Sequence, residues 1–72
     1  MNQTAIGSYI ARKRKEQNLT QEQLAETLGV SNKTISKWEN GKCMPDYGII
    51  QKLCEALGVT LPELMDGEDA AD

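Results

Sequence analysis

The stretch from Gln21 to Asn40, QEQLAETLGVSNKTISKWEN, decides how this 72-residue chain folds. Its apolar residues recur at helical spacing on both sides of a short break, Gly29-Val30. Such a break is too short to join two long antiparallel helices, so the pattern predicts two short helices that cross steeply. A steep crossing requires a small residue at the point of contact, and Ala25 is suitably small. Ile35 is the residue expected to pack on it, and this arrangement is a helix-turn-helix.

Capping signals set the bounds of these two helices and of three others. Thr20 and Gln23 form a capping box at the start of the second helix, and Gly29 is expected to end it. Ser31 is the expected cap of the third helix, and Thr4 that of the first. The chain is therefore predicted to be all-α, a single domain over residues 1–66 with helices at 4–17, 20–28, 31–39, 46–57 and roughly 61–65.

The composition excludes several classes of protein. The chain is long enough for one small helical core but leaves few residues to line the deep cleft of an enzyme. No histidine is present, so Cys43 and Cys54 do not suffice for a structural zinc site or a disulfide framework. No apolar run approaches the roughly 20 residues that span a bilayer, and no charged-then-apolar leader opens the sequence. We expect a cytoplasmic protein with reduced thiols and without enzymatic activity, metal, cofactor or membrane association.

The net charge of -3 conceals a polarised chain. Residues 1–42 contain seven Lys and Arg against four acidic residues, whereas residues 43–72 contain one lysine against seven acidic residues. A phosphate backbone responds to the local field rather than to the net charge. The first part of the chain is therefore suited to nucleic acid and the second part is not. Residues 67–72 carry only small and acidic side chains and are predicted to form a disordered tail.

The polar side of the third helix carries chemistry suited to reading bases. Ile35 and Trp38, three residues apart, are expected to face the core. The other positions from 31 to 37 are polar and none of them is acidic, since the acidic residues of this part of the chain begin at Glu39: Ser31, Asn32, Lys33, Thr34, Ser36 and Lys37. Asparagine pairs with adenine, lysine reaches guanine acceptors, and hydroxyls meet bases or phosphates. The alternative is an ordinary solvated helix face, but such faces usually mix charges of both signs.

Two quoted segments carry a resemblance to a known family. LTQEQLAETLGVSNKTISKWENGK (residues 19–42) and MPDYGIIQKLCEALGV (44–59) resemble the Xre-type, or Cro/phage-repressor-like, helix-turn-helix DNA-binding family. The resemblance covers about residues 6–65. It implies a five-helix, lambda-repressor-like DNA-binding domain in which the helix at 31–39 lies in the major groove. The expected function is that of a bacterial transcriptional regulator, in particular a repressor, that binds double-stranded DNA sequence-specifically.

The resemblance also implies roles for individual residues. Bases are expected to be read by Asn32, Lys33, Ser36 and Lys37. Phosphates are expected to be contacted by Gln21, Ser31, Thr34, Asn40 and Lys42. Arg14 and Glu39 match a pair of positions that forms a partly buried ion pair in the family. The alternative is that Arg14 is simply one member of the basic run 12–15.

Partners are predicted on energetic grounds. One such helix reads only a few base pairs, so useful affinity usually requires a homodimer on a palindromic operator. The resemblance suggests that the dimer surface includes Ile49, Val59, Leu61, Leu64 and Met65, although the same residues suit the core. The alternative function is an antitoxin or protein-interaction module on this scaffold. The acidic part of the chain would then hold a partner protein, with DNA binding secondary.

Overall fold

A computed structural model describes residues 2–70 and contains five α-helices. These are α1 (Gln3–Glu16), α2 (Gln21–Leu28), α3 (Asn32–Glu39), α4 (Tyr47–Leu57) and α5 (Leu61–Asp66). No strand occurs in this part of the chain. The predicted all-α fold with five helices is confirmed.

Most helix ends follow the predicted capping signals. The Thr20 side chain accepts a hydrogen bond from the Gln23 amide, the Gln23 side chain accepts one from the Thr20 amide, and the two together complete the capping box. Gly29 follows α2 with a φ of 74°, a left-handed conformation that glycine adopts without the steric cost of a side chain. Ser31 caps α3 as expected, its hydroxyl accepting from the amide of Thr34.

The predicted cap of α1 is wrong. The helix begins at Gln3, and Asn2 is its N-cap. Asn2 Oδ1 accepts hydrogen bonds from the amides of Thr4 at 3.0 Å and Ala5 at 3.2 Å. Asparagine is at least as good an N-cap as threonine, so the earlier start satisfies two free amides and places Thr4 inside the first turn.

The core is built from one apolar face of each helix. Trp38 is only 3% exposed, so it lies in the core as its spacing from Ile35 predicts. Cys54 is also buried, and this burial raises the pKa of its thiol, which keeps it neutral. The fully buried large side chains are Ile6, Tyr9, Ile10, Leu24, Ile35, Leu53, Leu57 and Leu64. Leu64 is therefore a core residue rather than part of an exposed surface.

The segment after α5 lies against α1. Asp69 accepts a hydrogen bond from the Tyr9 hydroxyl at 3.0 Å and pairs with Lys13 at 2.6 Å. Arg12 Nη2 lies 3.6 Å from Oδ2 of the same carboxylate. Residues 67–70 are thus held to the domain, in contrast to the expected disordered tail, because this carboxylate meets cations of α1. Residues 71–72 lie outside the described residues.

Within residues 2–70, no helix combines the length and the apolar character that crossing a membrane would need.

Candidate nucleic-acid interface

The two residues that the sequence predicts at the junction between α2 and α3 both lie in the core. Ala25 and Ile35 are both buried, at 3% and 0% exposure. The turn closes with a hydrogen bond of 2.9 Å from the Val30 amide to the Ala25 carbonyl. Since α3 packs against both α1 and α2, its position is fixed on two sides and its remaining face points outward.

The outward face of α3 presents three of the four expected base readers to solvent. Asn32, Lys33 and Lys37 are exposed, whereas Ser36 is half-buried. Among the described residues, neither lysine takes part in an ion pair. The Asn32, Lys33 and Lys37 side chains are thus available as hydrogen-bond donors, and lysine offers three donors on a long, flexible stem.

The loop after α3 holds Lys42 close to the last turn of the helix. The Gly41 amide donates to the Trp38 carbonyl, and the Lys42 amide donates to the Lys37 carbonyl at 2.9 Å. This is the Schellman pattern, and Gly41 supplies the left-handed residue that it requires, with a φ of 71°. The exposed Lys42 therefore extends the positive surface of α3 beyond its C-terminal end.

Three other expected phosphate contacts already make hydrogen bonds within the protein. Ser31 and Thr34 bond to each other through their hydroxyls at 3.0 Å. The Asn40 amide group donates to the carbonyl of Ser36 at 2.8 Å and to its hydroxyl at 3.2 Å. These bonds hold the Asn40 amide nitrogen against Ser36, so a phosphate contact by this nitrogen would compete with them.

Arg14 and Glu39 form a buried ion pair that links α1 to the end of α3. Arg14 Nε lies 2.6 Å and Nη2 lies 3.2 Å from the two Glu39 carboxylate oxygens, a bidentate arrangement. Arg14 Nη1 also donates to the Leu19 carbonyl at 2.7 Å. Gln21 donates from Nε2 to Glu39 at 2.9 Å, which leaves it one amide hydrogen for a phosphate. Glu39 thus orients Gln21 at the start of α2.

The ion pairs explain how a chain of negative net charge presents a positive surface. Arg12 and Lys13 of α1 pair with Glu16 and Asp69, so their charges are balanced locally. The hydrogen bond between Lys13 and Asp69 raises the pKa of Lys13 and lowers the pKa of Asp69. Within the described part of the chain, no such pair involves Lys33, Lys37 or Lys42. Of the five lysines in the described residues that have no such pair, three lie on α3 and the loop that follows it, and the other two, Lys15 and Lys52, lie on α1 and α4.

Sequence reasoning missed two features that border this surface. Glu22 and Glu26 of α2 line a shallow groove together with Ser31 and Asn32. These carboxylates repel phosphate and accept hydrogen bonds only from donors such as the cytosine amino group. Their spacing of four residues places them on one face of α2, a signal that the sequence does contain. The second feature is Gln3, whose side chain donates to the Gly41 carbonyl at 2.7 Å.

Comparison with known proteins places this geometry in a family. A family model described as helix-turn-helix matches residues 10–64. The chain is 50% identical over 52 residues to the HTH-type transcriptional activator BcrR of Enterococcus faecalis, a match that covers 72% of the chain and 26% of that protein. It is 38% identical over 64 residues to the HTH-type transcriptional regulator y4dJ of Sinorhizobium fredii, covering 89% of the chain and 83% of the relative. The chain thus spans about a quarter of the activator and most of y4dJ.

A solved structure shows the same architecture. The DNA-binding domain of the P22 C2 repressor matches with a TM-score of 0.82 and 33% sequence identity, over 93% of this chain and 88% of that one. The clp gene regulator ClgR of Corynebacterium glutamicum matches with a TM-score of 0.81 and 25% identity, over 90% and 69%. The fold is thus that of a repressor DNA-binding domain, as the sequence predicts. Because the family model spans most of the chain, the expected resemblance is confirmed, and the chain belongs to the Xre-like helix-turn-helix family.

Proposed function

We propose that this protein is a transcriptional regulator that binds double-stranded DNA sequence-specifically, with α3 in the major groove. The observation that carries the proposal is the outward face of α3, which combines exposed Asn32, Lys33 and Lys37 with no acidic residue. On a helix-turn-helix frame, this face is the one that meets base edges. Ser36 assists from its half-buried position.

Phosphate contacts would set the register of the complex on the duplex. Lys42 is the most favourable candidate, since it is exposed and fixed beside the end of α3. Gln21, at the first turn of α2, would act together with the free amides that any helix N-terminus offers. Ser31, Thr34 and Asn40 would contribute after exchanging internal hydrogen bonds for phosphate oxygens. These contacts fix position and leave sequence choice to the base readers.

The proposed mode of regulation is repression in the cytoplasm. A small domain that occupies its operator blocks access to an overlapping promoter without further chemistry. The likeness to the DNA-binding domain of the P22 C2 repressor, over almost the whole chain, supports this choice. The chain is also similar to part of a longer protein named as a transcriptional activator, so the similarities alone favour neither sign of regulation.

We further propose that two copies bind a palindromic operator. Within residues 2–70, only Tyr47 and Leu61 are large hydrophobic side chains exposed to solvent, at 89% and 46%. They line one apolar groove between α4 and α5 together with the half-buried Val59. Burying this patch in a second copy removes apolar area from water and doubles the number of base contacts. The proposed dimer surface thus includes Leu61 and Val59, as expected from the sequence, and also Tyr47. Leu64 belongs to the core instead.

The test is a selection from random duplex DNA at moderate salt, followed by sequencing. The parent is expected to enrich a palindrome with half-sites about one helical turn apart. Replacing Lys33 and Lys37 by alanine is expected to abolish the enrichment. Lys52→Ala, which removes an exposed lysine from α4, is the matched control and should enrich the parental motif. Absence of any motif with the parent would contradict the proposal and leave only charge-driven binding.

The alternative of a protein-interaction module has weaker support. It requires the acidic part of the chain to attract a basic partner, but Asp69 is already paired with Lys13 and Arg12 of the same domain. The exposed groove with Tyr47 is the one feature that favours it. Co-purification of a stoichiometric partner protein that masks this groove, together with failure of the DNA selection, would establish the alternative.

A further inference from the structure

The N-terminal half of α1 packs directly on the C-terminal end of α3. Gly7 is buried at this contact. A Cβ atom built on Gly7 would overlap the carbonyl oxygen of Trp38 and lie 2.9 Å from that of Glu39. Real Cβ atoms essentially never come within 3.0 Å of such atoms, and backbone cannot move aside as a flexible side chain does. The present approach of the two helices therefore requires glycine at position 7.

A second contact fixes the same end of α3. Gln3 Nε2, one turn before Gly7, donates to the carbonyl of Gly41 at 2.7 Å. The first turn of α3 is held differently, because its connection to α2 closes through the hydrogen bond from Val30 to Ala25. The start of α3 is thus supported by α2, whereas its end is supported mainly by α1, with one further hydrogen bond from Gln21 of α2 to Glu39.

We propose that Gly7 is a positioning residue for base reading, because it sets the tilt of α3 and so the place of Lys37. This inference rests on the proposed function. Base-edge hydrogen bonds need donor–acceptor distances of about 2.7–3.2 Å, and designed recognition sites tolerate displacements of only about 0.5 Å. A side chain at position 7 pushes the end of α3 away from α1 while α2 retains its start. Lys37 is then displaced more than Asn32 or Lys33.

The experiment compares Gly7→Ala with Gly48→Ala as a matched control. Gly48 also lies in the N-terminal half of a helix, but a Cβ there meets nothing closer than 3.5 Å. Dissociation constants are measured on the duplex selected by the parent and on its single-base-pair variants, with thermal melts of each protein. Gly7→Ala is expected to lose discrimination about tenfold or more at the base pairs where Lys37→Ala loses it. It should keep the parental preferences elsewhere, and Gly48→Ala should match the parent throughout.

Partial unfolding has a different signature from a changed tilt. A smaller folded fraction weakens binding by one factor on every duplex and leaves every ratio between duplexes unchanged. Such a uniform loss, or parental discrimination at every base pair, would overturn the inference. If Gly7→Ala does not fold, Gln3→Met is the deciding variant, since it replaces the amide group that donates to Gly41 by an unbranched side chain of similar length at an exposed position. It is expected to show the same positional loss to a smaller extent, and parental discrimination by this variant would overturn the inference.

Failure of the inference and failure of the proposed function are distinguishable. A parent that enriches a motif, combined with a folded Gly7→Ala that reads it normally, overturns only the positioning role. A parent that enriches no motif overturns the proposed function. Amide chemical shifts of the free proteins then decide the geometry, because Gly7→Ala is expected to shift residues 36–39 more than 32–34. Equal shifts in residues 36–39 and in residues 32–34 would contradict a change in the tilt of α3.

Discussion

At the scale of single residues, Lys37 gives the sharpest prediction. It is exposed, and in the described part of the chain it has no ion pair whose loss would complicate the result. Lys37→Ala is expected to weaken binding to the selected operator by about 1–3 kcal/mol, and to relax the preference at one or two base pairs only. Titrations on single-base-pair variants measure this, with Lys52→Ala as the control. An equal loss on all duplexes would assign Lys37 to phosphate instead.

The Arg14–Glu39 pair gives a prediction about stability. Both side chains are nearly inaccessible, at 10% and 7% exposure, and Gln21 completes the hydrogen bonds of the carboxylate. Removing one partner leaves a buried charge without compensation, so Glu39→Gln is expected to lower the free energy of unfolding by about 3–5 kcal/mol. Urea denaturation measures this change.

A double-mutant cycle separates the pair from its surroundings. Glu39→Gln combined with Arg14→Met removes both charges, so the double variant is expected to lose less stability than the two single variants together. Additive losses would show that the pair contributes nothing beyond the individual side chains.

At the scale of secondary-structure elements, the contact between the segment after α5 and α1 predicts a pH dependence. Lys13 and then Tyr9, by hydrogen bonding to Asp69, hold the pKa of this carboxyl below its usual value of 3.8. A lowered folded-state pKa means that the stabilisation is fully present well above pH 3.8 and is lost as the pH falls through the folded-state value. Asp69→Asn is expected to lower Tm near neutral pH. The difference in Tm between this variant and the parent should disappear at acidic pH. Glu68→Gln, an exposed neighbour without an ion pair in the described residues, is the control.

Tyr9 adds the opposite dependence at high pH. Its burial, followed by its hydrogen bond to Asp69, raises the pKa of the phenol to about 12. A raised pKa means that stabilisation is complete below the usual value of 10.0 and is lost as the pH rises toward 12. Thermal melts of the parent should therefore show a falling Tm above pH 10, and Tyr9→Phe should fall less over the same range. Parallel curves for the two proteins would contradict this role of Tyr9.

At the scale of the whole molecule, the exposed patch between α4 and α5 predicts cooperative binding. Replacing Tyr47 and Leu61 by glutamate places charge where a second copy would pack. The double variant is expected to bind the palindrome about 5–150-fold more weakly while binding a single half-site like the parent. Sedimentation of the protein–DNA complexes counts the copies directly. Unchanged affinity for the palindrome would place the dimer surface elsewhere or show that the copies bind independently.

Local signals made most of the architecture predictable from sequence. The capping box at Thr20, the glycine at position 29 and the spacing of Ile35 and Trp38 act within one or two helical turns, so a single sequence displays them. The Arg14–Glu39 pair needed the family resemblance, since nothing local connects residues so far apart.

Contacts between distant parts of the chain escaped prediction. The carboxylate of Asp69 meets Lys13 only because α5 returns to α1, so composition alone suggested a disordered tail for residues 67–72. The fit of Gly7 against Trp38 is likewise a property of two packed helices rather than of a sequence pattern. The internal bonds of Asn40 were hidden for a simpler reason, because residue type does not reveal which partner a side chain chooses.

The most direct test of the central claim is an amide chemical-shift titration of the protein with its selected operator duplex. The account predicts that the largest shifts fall on α3, on the first turn of α2 and on the loop that ends at Lys42. Residues in the groove between α4 and α5 should shift with the palindrome only where a second copy covers them. With a single half-site, their amide shifts should not change. Largest shifts on α4 and α5 with a half-site, and little change on α3, would contradict the claim that α3 reads DNA.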